Sequence, residues 1–298
     1  MENSSHHLST KNWYDKYYKL ILVLPIIVLI ISLVYLGYFY NKTGDIMLKD
    51  SSLTGGTTIT ITGDINSAAL ESALQVKFPD VSTRKLTDLR TGKAISTIID
   101  TSAKPDAITP EIEKALGYKL TKENSSTEFT GPSLSKSFYN QLLLALLISF
   151  VLMSITIFII FRTFIPSLAV IFAVFGDIVM PLALIDFLGV RVSAAGIAAF
   201  LMLIGYSVDT DILLTTRALR TKGGTANKRI YRAFKTGIFM TSTALVAVLP
   251  AFLIVSGLPD SFRQIFFILM LGLFADILNT WLTNASIIKW YCEAKKID

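Results

Sequence analysis

Four aspartates stand inside stretches otherwise apolar enough to cross a bilayer. Asp209 and Asp211 lie two apart in Leu201–Arg220, LMLIGYSVDTDILLTTRALR, with Ser207 before them and Thr210 between them. Asp177 falls about 12 residues into its apolar run, ~18 Å deep at the helical rise, and Asp276 about 14 residues into another, ~21 Å deep. An ionisable group at membrane depth costs roughly 3 kcal/mol or more and usually faces a bundle interior, a partner or water. Held there beside a base or hydroxyls, a carboxyl can bind a proton and release it as access changes sides. The plainer use is structural, as a helix-packing ion pair or a hydrogen bond to a neighbouring hydroxyl. Both uses stay open for each aspartate taken singly, while the acids and hydroxyls together favour ion movement.

On one helix, Asp209 and Asp211 point roughly 200° apart, so one partner cannot serve both. Candidate partners are few. Arg232 and Lys235 open the fifth apolar run at a depth that either aspartate could reach, and Asn279 and Asn284 add polar groups in the sixth. Thr241-Ser242-Thr243 lies along the same seam or bonds to backbone. Asp186, at the outer end of its run, reads as solvated.

The elements that must position these groups follow from composition. The chain has 298 residues, 52% of them hydrophobic, and a mean hydropathy of +0.56. Its apolar residues come in blocks of about 20, enough to span ~30 Å of hydrocarbon. This is an integral membrane chain, and its net charge of +6 speaks to topology before nucleic acid. A single cysteine, Cys292, excludes an internal disulfide framework and a Cys/His metal cluster. His6 and His7 sit in a polar tail and read as surface. No metal, cofactor or enzymatic constellation is expected.

Six spans are expected, at about 20–40, 138–161, 165–188, 192–216, 237–257 and 262–288, preceded by a tail over 1–19. Trp13, Tyr14, Tyr17 and Tyr18 suit an interfacial belt. Small residues in the fourth span, among them Gly196 and Gly205, allow close helix approach within the chain or against another subunit. Residues 217–236 read as a basic loop and 289–298 as a tail. Lysines and arginines near span ends divide 14 to 2 in favour of the side holding both termini, which places the termini in the cytoplasm.

Residues 41–137 are polar and read as an outer domain. Thr57–Thr62 alternates as a strand does. Asn66 caps a helix running to about Phe78, and Val81–Leu89 and Ala94–Thr101 form a hairpin through Arg90-Thr91-Gly92-Lys93. Thr109 caps a second helix with Pro110 in its first turn, and Ser126–Thr130 is a last strand. The order β-α-β-β-α-β is the ferredoxin-like pattern. Asn41-Lys42-Thr43 and Asn124-Ser125-Ser126 match a short glycosylation motif on the outer side.

Four motifs carry a resemblance. Leu53-Thr54-Gly55-Gly56-Thr57 follows the first span, Gly131-Pro132-Ser133-Leu134 closes the outer domain, Gly205-Tyr206-Ser207-Val208-Asp209-Thr210-Asp211 occupies the fourth span, and Lys235-Thr236 leads to Thr241-Ser242 in the fifth. Together they resemble the SecD/SecF family of the Sec protein-export machinery, within the resistance-nodulation-division superfamily. The bacterial signature Gly-Tyr-Ser-x-Asn-Asp-Thr would set its Asp at Thr210, flanked here by Asp209 and Asp211, so this chain is similar to the archaeal form. Lys235 stands where the family has arginine. The resemblance implies a SecD–SecF complex beside the SecY/SecE translocon. It further implies an outer domain handling the translocating polypeptide chain late in export, and a membrane part using the proton gradient. Two other readings remain: half of a proton-coupled transporter for a small molecule or lipid, and a membrane scaffold that only places the outer domain.

Overall fold

All but the third of the apolar runs lie in helices longer than the run itself, and the third becomes a helix of its own length. The computed structural model describes residues 13–87, 93–221, 224–254 and 260–297. His6, His7 and the hairpin turn at 90–92 lie outside those residues. Helix α1 (Trp13–Thr43) has 31 residues and is therefore about 46 Å long. Its belt aromatics continue the helix rather than precede it. Next come α2 (Ser51–Thr54) and the β-domain, then α5 (Pro132–Phe161), α6 (Phe164–Phe187), α7 (Ala194–Arg220) and α8 (Ala226–Ile254). The last crossing joins α9 (Asp260–Leu278), a π-helical segment (Asn279–Asn284) and α10 (Ala285–Lys295). Six helices in the described residues are long and apolar enough to cross a bilayer. The protein is a multi-pass membrane protein.

Much of the expected basic loop is helix. Arg217 and Arg220 lie in the last turn of α7, and α8 starts at Ala226. The reason is a stripe at helical spacing: Ala226, Ile230 and Ala233 are buried against Trp281, Ala285 and Ile288. The cations occupy the other faces. Arg229 is the exception, 4% exposed, and its guanidinium donates to the carbonyls of Ala218, Gly224 and Ile297 at 3.0, 3.0 and 2.9 Å.

The β-domain runs β1 (Gly56–Thr62), α3 (Ser67–Gln75), β2 (Ser82–Thr87), β3 (Ala94–Thr101), α4 (Pro105–Leu116), β4 (Ser125–Thr130). Its antiparallel sheet has the order β2-β3-β1-β4, a ferredoxin-like arrangement. Ile59, Ile61 and Ile99 meet Leu70 and Leu74 of α3 and Ile108 and Ile112 of α4. Asn66 caps α3 by accepting from Ala69 N at 3.2 Å. Helix α4 begins a turn before the expected Thr109 cap. Pro105 fills its first position, and Ile108 pairs with Ile112 on the buried face.

A short backbone junction ties this domain to the bundle. Val192 N donates to Leu48 O at 2.6 Å, and Asp50 N to Val192 O at 3.1 Å. Asp186 is not solvated as expected. It is 3% exposed, and its Oδ1 accepts from Leu48 N at 2.9 Å. Gln264 of α9 completes the junction: its Oε1 accepts from Ser193 N at 2.7 Å, and its Nε2 donates to Arg191 O at 2.5 Å.

Candidate functional site

Helix α7 packs against α5, α6, α8, α9 and α10, so its buried face looks onto most of the bundle. Ser207, Thr210 and Asp211 are on that face, each 0% exposed. Asp209, two residues from Asp211, is on the opposite face and exposed. The 100° step of the helix divides the two acids as the spacing requires.

Three carboxyls from three helices converge on this face. Asp177 of α6, Asp211 of α7 and Asp276 of α9 are each 0% exposed. Ser207 Oγ donates to Asp177 Oδ2, and Asn279 Nδ2 donates to Asp177 Oδ1 at 2.7 Å. Gly176 makes that approach possible, because a Cβ there would stand 2.7 Å from Asn279 Nδ2. Asp276 is ringed by hydroxyls: Thr210 at 2.9 Å and Thr280 at 3.0 Å from Oδ1, and Thr241 of α8 at 3.2 Å from Oδ2. Asn284 Nδ2 donates to Asp211 Oδ1 at 2.7 Å, while Asp211 Oδ2 has no hydrogen-bond partner.

The π-helical segment supplies much of this polar wall. One extra residue per turn, with Ala285 N bonding to Thr280 O, keeps Asn279, Thr280, Thr283 and Asn284 all buried. Thr280 belongs to the site although the sequence reading passed over it. Its only signal there was its place one turn after Asp276, which an α-helix also offers to many residues without function.

Continuity matters as much as membership. Thr210 Oγ1 lies 2.8 Å from Ser207 O as well as 2.9 Å from Asp276 Oδ1. Polar groups therefore follow one another from Asn279 through Asp177 and Ser207 to Thr210, Asp276 and Thr241 across four helices, with the Ser207 carbonyl, an acceptor only, as the link to Thr210. Hydroxyls both donate and accept, so those around Asp276 can satisfy a carboxylate or a carboxylic acid. Among the described residues, none of the three buried carboxyls is within ion-pair distance of a lysine or arginine.

Lys235 is not brought to this path. Its Nζ lies 5.2 Å from the centre of the Tyr231 ring, on an exposed part of α8. Arg232 gives its carbonyl to Arg217 at 3.0 Å, and its side chain is likewise exposed. Of the two small residues, Gly196 is buried, where a Cβ would meet Gln264 Oε1 at 2.6 Å; Gly205 faces open space, with nothing within 4 Å. Gly205 therefore does no close packing inside this chain.

The profile of the family described as "Protein export membrane protein SecD/SecF, C-terminal" matches residues 112–294. Among relatives, the protein-export membrane protein SecF of Methanolacinia petrolearia is 35% identical over 92% of this chain and 94% of its own length. Its counterpart from Methanothermobacter thermautotrophicus is 36% identical over 94% of each. Among solved structures, SecDF of Thermus thermophilus, titled a translocon-associated membrane protein, superposes with a TM-score of 0.74 at 17% identity, over 93% of this chain. This chain spans 38% of that longer one. A second SecDF structure, in a super-membrane-facing form, gives 0.59. These matches agree with the six-helix bundle and inserted ferredoxin-like domain, and the chain belongs to the SecF family of protein-export membrane proteins.

Proposed function

We propose that this chain is one half of a SecD–SecF complex that draws a translocating polypeptide outward from the SecY/SecE translocon, driven by proton movement through the bundle. The carrying observation is the buried cluster of Asp177, Ser207, Thr210 and Asp276, with Asp211 buried nearby on Asn284, at bilayer depth and, among the described residues, without a cation beside it. A carboxyl so placed, ringed by hydroxyls, can pass a proton and change its hydrogen-bond partners as it does so. The bundle changes shape only if its two protonation states favour different helix arrangements.

The exposed face of α7 supports a partner. Ala195, Ala198, Met202, Gly205 and Asp209 fall on one stripe, with small residues that admit another helix closely. Asp209 has no hydrogen bond or ion pair among the described residues, and a donor from SecD would satisfy it. The end of the bundle remote from the β-domain carries Arg217, Arg220, Lys228, Arg232 and Lys235. That bias supports insertion in the cell membrane with both termini cytoplasmic and the β-domain outside.

Export of a reporter protein by membrane vesicles tests the proposal. Vesicles with the wild-type chain should export it faster under a proton gradient and lose that gain to an uncoupler. Asp276→Asn and Asp211→Asn should remove the gain while the complex still assembles. Equal export in every arm would refute coupling.

A further inference from the structure

Beside the polar path, and unconnected with it, a cavity of about 340 Å³ opens on the side of the bundle near the end remote from the β-domain. Its volume falls within the ~300–1,000 Å³ of small-molecule sites. Three helices build it: Tyr14 and Ile21 come from α1, Ile230 and Phe234 from α8, and Trp281 and Leu282 from the π-helical segment. The walls are almost wholly apolar, and aromatic packing fixes them in place. Phe234 meets Trp281 edge-on with ring centres 5.2 Å apart, and Tyr231 stacks on Phe234 at 6.4 Å.

One cation stands at the lip. Lys228, Tyr231, Arg232 and Lys235 fall on one exposed face of α8. The Lys235 ammonium bends back over the ring of Tyr231, itself part of the cavity wall, at 5.2 Å. Long cationic side chains turn in this way to bring the charge to the headgroup level while the stem stays in hydrocarbon. Below the lip, Lys289 is already neutralised by Asp15 at 2.5 Å and Glu293 at 3.3 Å.

We propose that this cleft is a binding site for one anionic membrane lipid. A hydrocarbon chain lies between α1 and α8 against Phe234, Trp281 and Leu282, and the phosphate of the headgroup sits on Lys235 beside Tyr231. Apolar walls choose a lipid tail over a free phosphate, and the Lys235 ammonium favours an anionic headgroup over a zwitterionic one. This assigns Lys235 to lipid recognition, independently of any proton path.

Photolabelling of the full chain in nanodiscs of phosphatidylcholine tests the assignment, using diazirine-tailed probes with either a phosphatidylglycerol or a phosphatidylcholine headgroup. Label from the phosphatidylglycerol probe should concentrate in residues 230–234 and 281–285. It should exceed that from the phosphatidylcholine probe about fivefold, and unlabelled phosphatidylglycerol should compete it away. Lys235→Gln, at an exposed position, should reduce the preference severalfold without changing the melting temperature. Equal labelling by the two probes would overturn the assignment. So would label no denser in the cleft than along the lipid-facing 144–152 stretch of α5.

Discussion

Asp50 shows at one residue how burial and charge are balanced in this chain. It caps α2, accepting from Ser52 N at 3.0 Å and Ser52 Oγ at 2.6 Å. Burial pushes its carboxyl up from the ordinary 3.8 to about 6, aided by the nearby Asp100 and opposed by the Ser52 bonds and Arg84. The native state therefore holds the proton more tightly than the unfolded chain does. The penalty for the charge is complete above about pH 6 and is relieved as pH falls toward the ordinary value. Asp50→Asn keeps the accepting oxygen and removes the charge. It should stabilise the fold by about 1–2 kcal/mol at pH 8 and by nothing at pH 3, which thermal melts at the two pH values will show. Inside the bundle, Gly176→Ala should push Asn279 off Asp177. The expected result is a loss of about 1–3 kcal/mol in stability, because the Asp177 carboxyl loses its amide donor. At this scale the sequence was informative. Helical spacing alone separated Asp209 from Asp211, and depth alone singled out Asp177 and Asp276. The partners were not legible, because a hydroxyl one turn away, such as Thr280, looks the same in sequence whether it faces an acid or lipid.

Among elements, the junction between the β-domain and the bundle matters most for transmission of movement. Leu48, Asp50 and Val192 exchange backbone hydrogen bonds, and Gln264 secures the Val192 loop from α9, the helix that also carries Asp276. A shift of α9 is therefore felt at the root of the β-domain. Gln264→Ala leaves Ser193 N and Arg191 O without their partner. Hydrogen exchange at Leu48, Asp50, Val192 and Ala194 should speed up by about tenfold or more, as expected for about 1–3 kcal/mol of lost hydrogen bonding, while the amides of β1 and β3 should be unaffected. Unchanged exchange at the four amides would separate the domain from the bundle. The ferredoxin-like order was readable from alternation and caps. The junction was not, because Asp186 and Gln264 are ordinary polar residues at span ends until the fold brings them to Leu48 and Val192. Helix α8 was misread at its start for a related reason: its cations dominated the composition, and the buried stripe Ala226, Ile230, Ala233 was too weakly apolar to stand out.

The whole molecule combines two unequal faces. One carries the buried carboxyls and hydroxyls; the other is the small-residue stripe of α7, with Gly205 open and Asp209 without a hydrogen bond or ion pair among the described residues. That second face should act only in the assembled complex. Gly205→Leu should change the stability of the isolated chain by less than about 0.5 kcal/mol yet sharply reduce co-purification with SecD; undiminished recovery would place the partner elsewhere. The central claim concerns the first face, and proton flux tests it most directly. Proteoliposomes holding the chain with SecD, an internal pH-sensitive dye and an imposed gradient should acidify when a passenger polypeptide is present. With Asp276→Asn or Asp211→Asn, correctly assembled, that flux should fall to the level of empty liposomes. Flux equal to wild type in both variants would contradict the account.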